Sequence, residues 1–395
     1  MISFEEALAL VTDSARALPS ESVSLASADG RVLATPIIAQ RSTPIADVSA
    51  MDGYAVRAPD LADLPVRLDV IGEAFAGQPF EGALAPRSCV RIFTGAVAPV
   101  GTDRVIIQED VQRDASMALF VKAPSGPVNL RPAGSDFSAG EVLVEPGVRL
   151  NAQQMVAAAA ADLAQVCVVA RPKVLIIATG DELDAPGHPS QDRPGLPESV
   201  SFGVASLVRT WGGDVVDQWR LRDDLAALQV AARSAIRLAD IVVVTGGASV
   251  GERDFAKAMF APLDLRLIFS KVAIKPGKPV WFGQASNTLV MGLPGNPTSA
   301  LVTARLFLAP LIAGMAGLEP AAAAEWTPMP LSASLGPCSD RETFVRGRRV
   351  GAGVEPIGDQ DASAQKALAA SNILIRRRPG DAALGAGAMV ETLRF

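Results

Sequence analysis

Histidine is almost missing from this 395-residue chain, with His188 the only one. It lies in the turn-rich segment APGHPSQDRPGLP, so a Ser-His-Asp triad or a multi-histidine metal site would rest on one loop residue, and both are set aside. Cysteine is scarce: Cys89, Cys167 and Cys338 stand apart with no CxxC spacing. That excludes a zinc knot or a disulfide framework and suits a reducing compartment. Positive charge is in deficit, 36 Lys+Arg against 42 Asp+Glu, and a net charge of −6 leaves no basic footprint for nucleic acid. The start, MISFEEALAL, has Glu5 and Glu6 where a signal peptide has a basic region. No uncharged apolar run approaches membrane-spanning length, and the Ala-rich run Met155–Ala161 is bracketed by polar residues. These absences predict a cytoplasmic protein without nucleic-acid or membrane partners. Chemistry is left to carboxylates, Lys, Arg, hydroxyls, backbone amides and a hard metal such as magnesium.

What is present is globular: 49% of residues are apolar and 20% charged. A chain of this length exceeds one ordinary core, so about two to four domains are expected. The stretch that organises it is IVVVTGGASVGERD, Ile241–Asp254. Ile241–Val244 reads as a strand buried on both faces, broken at Thr245-Gly246-Gly247, with Ser249, Gly251, Glu252 and Asp254 beyond it. An apolar strand opening into glycine, hydroxyl and carboxylate is the layout of a ligand site at the carboxyl end of a parallel sheet. The same layout also serves as a structural turn.

Around that stretch the chain divides into four: 1–42 with 137–170, 43–136, 171–318 and 319–395. The first part opens with Ser3 capping a helix through Glu6, followed by a hairpin across Asp29-Gly30, and later has Asn151 capping an Ala-rich helix to about Ala164. The second is β-rich, with strands at Leu68–Ile71, Val90–Phe93 and Val105–Gln108. In the third, strands at Lys173–Ala178, Asp214–Leu221, Ile241–Val244 and Thr288–Gly292 alternate with helices Phe202–Trp211, Leu225–Ala239 and Thr298–Met315. Alternation predicts an α/β, doubly wound, mostly parallel sheet. Its rim would gather Asp181, Glu182, Asp223, the Gly246–Asp254 loop, Lys271–Lys278 and Gly295-Asn296-Pro297. The fourth part reads as a small β-barrel of short strands after a Pro- and Ala-rich linker, with Arg346, Arg348 and Arg349 clustered, an arrangement a solvated face also produces.

SAMDGYAV, RIFTGA, TGDEL, TGGASVGERD, AIKPGKP and GLPGNP occur in this order. Together they resemble the signature stretches of the molybdopterin molybdenumtransferases, the family that includes the gephyrin E-domain, over essentially the whole chain. The resemblance implies insertion of molybdate into adenylylated molybdopterin with release of AMP, Mg2+ as the metal, and an elongated homodimer. Its cleft would lie between the sheet domain of one subunit and the β-rich domain of the other. Contact with the molybdopterin adenylyltransferase and with recipient molybdoenzymes is implied as well.

By the same resemblance Glu182, Asp52 and Thr94 serve the reacting phosphate and molybdate, and Lys271 and Lys275 are oxyanion ligands. Asp254 and the Gly246–Gly251 loop, with Gly247 and Ser249, take the pterin phosphate end. Asp223, Lys278, Pro294, Gly295, Asn296, Pro297 and Arg346 complete the substrate contacts, Pro294 and Pro297 shaping the molybdate pocket. Asp52, Asp136 and Glu182 are the metal ligands. The residue types suit this independently: a molybdate oxyanion wants cations and N–H or hydroxyl donors, and a phosphate–phosphate linkage wants magnesium on hard carboxylates. Bland readings stand beside these, with Thr94 a turn hydroxyl and Asp223 the N-cap of the helix from Leu225. The chain departs from the family pattern at Val200, where Asn is usual, at Ser135 before Asp136, and at Asp361-Ala362-Ser363. Each replaces a polar contact, and such a loss costs about 1–3 kcal/mol. The enzyme is the first expectation. A non-catalytic paralogue that holds and delivers the pterin is the alternative, and a receptor-anchoring scaffold would need a groove the sequence does not show.

Overall fold

The structure, a computed structural model, describes residues 1–246 and 255–395. The first helix, Phe4–Ser14, forms as SFEE predicts: the Ser3 hydroxyl accepts from the Glu6 amide while the Glu6 carboxylate accepts from the Ser3 amide. Phe4, Ala7 and Val11 recur on one face and are buried in the same core as the central sheet. The hairpin across Asp29-Gly30 does not form. Ser20–Ser24 pairs instead with the distant Gln165–Val169, because the alternating Val166 and Val168 bury against Leu33, Ile37 and Leu150. Asn151 caps the Ala-rich helix as expected, but the helix runs only Ala152–Ala160, and Asp162 turns left-handed two residues beyond its end.

The β-rich part is a six-stranded sheet in the order Arg104–Ile107, Gly53–Val56, Ser88–Ile92, Val66–Ala74, Met117–Phe120, Val111–Asp114. Gly53 is required in its second strand, since a Cβ there would collide with the backbone carbonyl of Ile106. Tyr54, the lone tyrosine, is a core residue packed edge-on against Phe120 at 6.1 Å.

The central sheet runs Asp214–Leu221, Lys173–Thr179, Ile241–Thr245, Thr288–Leu293, Trp281–Ala285, Arg266–Phe269. The first four strands are parallel, and each of the last two is antiparallel to the strand before it in this order. Both faces are covered. Val174 and Ile176 point into a core shared with helices Val200–Thr210 and Pro297–Met315, while Leu175 and Ile177 point into one shared with helix Leu225–Leu238. Period-2 alternation therefore buries every residue, and Ile241, Val242, Val243 and Val244 are each 0% exposed. Full burial of such side chains is worth about 1.5–3 kcal/mol apiece.

Helix Pro297–Met315, expected from Thr298, is apolar and long enough to cross a membrane, yet its most apolar window is 94% buried within the protein. It widens to a π turn over Ala304–Leu308 ahead of Pro310, whose missing N–H and ring bulk do not fit a regular turn. Within that turn Arg305 is buried over the Trp211 ring at 4.9 Å, donating to the carbonyls of Arg394 at 2.7 Å and Ala323 at 2.6 Å. Burial pushes its guanidinium down to about 10.

The C-terminal strands form a sheet in the order Ile274–Lys275, Glu342–Val350, Ile373–Arg377, Met389–Arg394, Thr327–Pro330, with Gly353–Pro356 also paired to Glu342–Val350. The sheet is an open path rather than a shown barrel. Its first strand comes from the lysine-bearing segment after the central sheet's fourth strand in sequence, so that segment bridges two sheets.

Candidate active site

Strand Lys173–Thr179 is followed in the chain by its neighbour on one side, Asp214–Leu221, and then by its neighbour on the other, Ile241–Thr245. This reversal leaves a crevice at the carboxyl ends of the strands. A cleft of about 690 Å³ opens there. Thr179, Gly180, Thr245 and Gly246 line its floor. Gly246 has φ +91°, and a Cβ on it would meet the Thr179 carbonyl, so only glycine lets the two strand ends lie this close.

Glu182 and Asp223 line the same cleft, as do Pro294, Gly295, Asn296 and Pro297, so these predicted residues from separate loops are brought together. Asp223 is not the helix cap. Asp224 is, its carboxylate accepting from the Ala227 amide at 3.1 Å, while Asp223 stands on the cleft wall. Asn296 precedes Pro297 at the first helical position and makes no side-chain cap bond. The N-terminus of that long helix thus opens on the cleft with its dipole positive toward an anion. At the N-terminus of helix Val200–Thr210, the buried Glu198 takes the cap role through the Ser201 amide at 2.8 Å and the Ser201 hydroxyl. Val200 faces the same cleft and is 6% exposed.

Other predicted residues stand elsewhere in the chain. Asp52 and Thr94 pair on the β-rich part: the Thr94 amide and hydroxyl both donate to one Asp52 oxygen, at 2.8 and 2.7 Å. Those two bonds hold the Asp52 carboxyl below its usual range. The bland reading of Thr94 as a turn hydroxyl is thus part of the story, since it fixes the carboxylate. Asp136 is exposed in the same part, and Lys271, Lys275 and Lys278 are exposed on the bridging segment; none of these six lines the cleft of its own chain. Pro279, next to Lys278, does.

Arg346 is placed differently from the substrate contact expected of it. It is 1% exposed, and its guanidinium donates to the Thr298 hydroxyl at 3.1 Å and to the carbonyls of Ala364, Asp359 and Asp361 at 3.2, 3.0 and 2.9 Å. Its donors are spent on the 359–364 turn, which it fastens beside the helix start. Ser363, within that turn, and Gln365, just past it, line the cleft, a contribution from the C-terminal part that the sequence shows only as a departure at Asp361-Ala362-Ser363.

Gly247, Ser249, Gly251 and Asp254 lie outside the described residues. Among the described residues no group of three or more His, Cys, Asp or Glu could hold a metal ion, so Asp52, Asp136 and Glu182 do not assemble as a triad within one chain.

Residues 2–161 match the family described as MoeA N-terminal region (domain I and II), and residues 175–314 match the probable molybdopterin binding domain. The chain is 40% identical over 299 residues to a molybdopterin molybdenumtransferase of Haemophilus influenzae, covering 75% of this chain and 73% of that protein. It is 32% identical to one of Synechococcus elongatus, with 99% of each chain covered. Among solved structures it resembles the molybdopterin biosynthesis moeA protein of Pyrococcus horikoshii, at a TM-score of 0.84 and 27% identity with 100% of both chains covered.

Proposed function

The chain belongs to the molybdopterin molybdenumtransferase family, and we propose on that premise that it inserts molybdate into adenylylated molybdopterin, releasing AMP and the finished molybdenum cofactor. The observation that carries this reading is the convergence of Glu182, Asp223, Gly246 and the 294–297 turn on one cleft at the sheet's switch point. A long helix N-terminus opening there suits a phosphate or molybdate oxyanion. In this reading Glu182 faces the reacting phosphate. Gly246, with residues 247–251 and Asp254, takes the pterin phosphate end, and Pro294 and Pro297 shape the molybdate pocket.

Asp52 and Thr94, which lie on the β-rich part, complete the site only if they reach the cleft of a second copy, so a homodimer with two shared clefts is part of the proposal, with Lys271 and Lys275 supplied beside Pro279 by the chain that carries the cleft. Mg2+ is the expected metal. Among the described residues of a single chain the carboxylates do not group to hold it. The four-part division of the chain and closure of the C-terminal sheet into a barrel belong to the same proposal. The β-rich sheet and the central sheet, each lying wholly within one part, support the first, and the bridge between Leu331 and Val354 supports the second.

Val200 favours a second reading, a paralogue that holds the pterin without inserting metal, because an apolar side chain lines the wall where the family pattern carries an amide. Single-turnover AMP release from adenylylated molybdopterin, with and without molybdate, separates the two. Release that requires molybdate and falls by about a hundredfold or more in Glu182→Ala supports the enzyme. Tight pterin binding without molybdate-dependent release supports the paralogue.

A further inference from the structure

Between Asp184 and Leu196 the chain leaves the cleft wall and returns to it. The two ends pair in parallel, Leu183 with Leu196 and Asp184 with Pro197, and the Leu196 amide donates to the Glu182 carbonyl at 2.7 Å. The Glu198 amide donates to the Asp184 carbonyl at 2.8 Å. Everything the return strand brings to the cleft, Leu196, Pro197 and then Glu198 to Val200, depends on the 185–195 excursion closing at the right place.

One buried carboxylate closes it. Asp184 is 6% exposed and accepts from the Ser190 amide at 3.0 Å, the Ser190 hydroxyl at 2.7 Å and the Arg193 guanidinium at 2.8 Å. The Arg193 Nη2 also donates to the Leu183 carbonyl at 3.2 Å, whereas its Nη1 is buried with no partner. The charge of Arg193 is therefore answered chiefly by Asp184, and removing that carboxylate leaves a part-buried cation uncompensated. Gly195 closes the loop from the other side. A Cβ there would strike the Asp184 carboxylate itself, so the return strand reaches its place only because position 195 has no side chain.

We infer that Asp184 is a positioning residue for the pterin cleft: through Ser190, Arg193 and the room left at Gly195 it sets the 196–200 wall against Glu182. It does not touch the reacting atoms. The inference rests on the functional reading above, since the substrate that feels the wall is the one proposed there.

The test uses the full-length protein as Asp184→Asn and Gly195→Ala, with steady-state kinetics on adenylylated molybdopterin, subtilisin cleavage of the 185–195 excursion, and thermal unfolding. Asn keeps the size of the side chain but cannot accept from all three donors or answer the Arg193 charge. Both variants are expected to raise KM about tenfold with kcat within about twofold, as displacement of a binding wall would. Cleavage of the excursion should speed up at least about fivefold as local opening becomes easier, and saturating substrate should slow it again. Unchanged KM in two folded variants overturns the inference, as does a fall in kcat alone. If the wild type fails to turn over the substrate, the functional reading fails instead. The clip itself is then decided by proteolysis, where unchanged cleavage in both variants overturns it.

Discussion

Asp52 shows how much one residue owes to its neighbour. Two donors from Thr94 converge on one of its oxygens and favour the ionised form. Its folded pKa therefore lies below the ordinary 3.8, so its contribution to stability is whole above that value and is lost as pH falls through the lower folded one. Thr94→Val removes the hydroxyl and leaves only the amide. The Asp52 carboxyl carbon, followed by NMR, should then titrate at higher pH than in the wild type, and an unmoved midpoint would show that Thr94 does not set it. The pairing was legible as two motifs, SAMDGYAV and RIFTGA, each ending or beginning a strand, but their adjacency depended on sheet order. Arg346 was less legible. In the sequence it sits with Arg348 and Arg349 and reads as one of a basic cluster, while in the fold it lies in the buried stretch of its strand with Glu342 and Phe344 and meets four oxygen acceptors, and Arg348 and Arg349 fall in the exposed end.

Elements were read best where apolar periodicity was strong and local. The strand Asp214–Leu221 has the expected bounds, and Ile241–Thr245 is one residue longer than expected. The hairpin at Asp29-Gly30 failed because a turn dipeptide says where the chain bends and not which strand it pairs with, and the partner lies over a hundred residues away. The long helix from Pro297 was placed correctly, but its π turn is a response to Pro310 and to the buried Arg305 that no periodicity displays. Gly246, just past the strand Ile241–Thr245, gives the sharpest prediction at this scale. Gly246→Ala puts a side chain at φ +91° and against the Thr179 carbonyl, so it should destabilise the protein by about 2 kcal/mol and weaken pterin binding more than tenfold. Chemical denaturation and a binding titration check it. An alanine variant that binds normally would mean the two strand ends have more room than the fold shows.

For the whole molecule, the rim of the central sheet was foreseeable because a parallel sheet places its loops on one edge. That a single chain would leave Asp52 and Thr94 away from that edge was not readable from the spacing of motifs. If the site is shared between two copies, Asp52→Asn and Glu182→Gln are each inactive alone but complement when mixed and allowed to exchange subunits. Half of the resulting dimers carry one intact cleft, so about a quarter of wild-type activity should return. No recovery, with exchange verified by differently tagged subunits, would place both carboxylates in one copy's site or refute the dimer. The account stands or falls on whether metal enters the pterin as the nucleotide leaves. The measurement that tests this most directly is a single turnover in which AMP and pterin-bound molybdenum are quantified together, by chromatography and by elemental analysis. The account predicts that the two rise in equal amounts and only with molybdate present. AMP released without bound molybdenum would contradict it, leaving a hydrolase where a transferase is proposed.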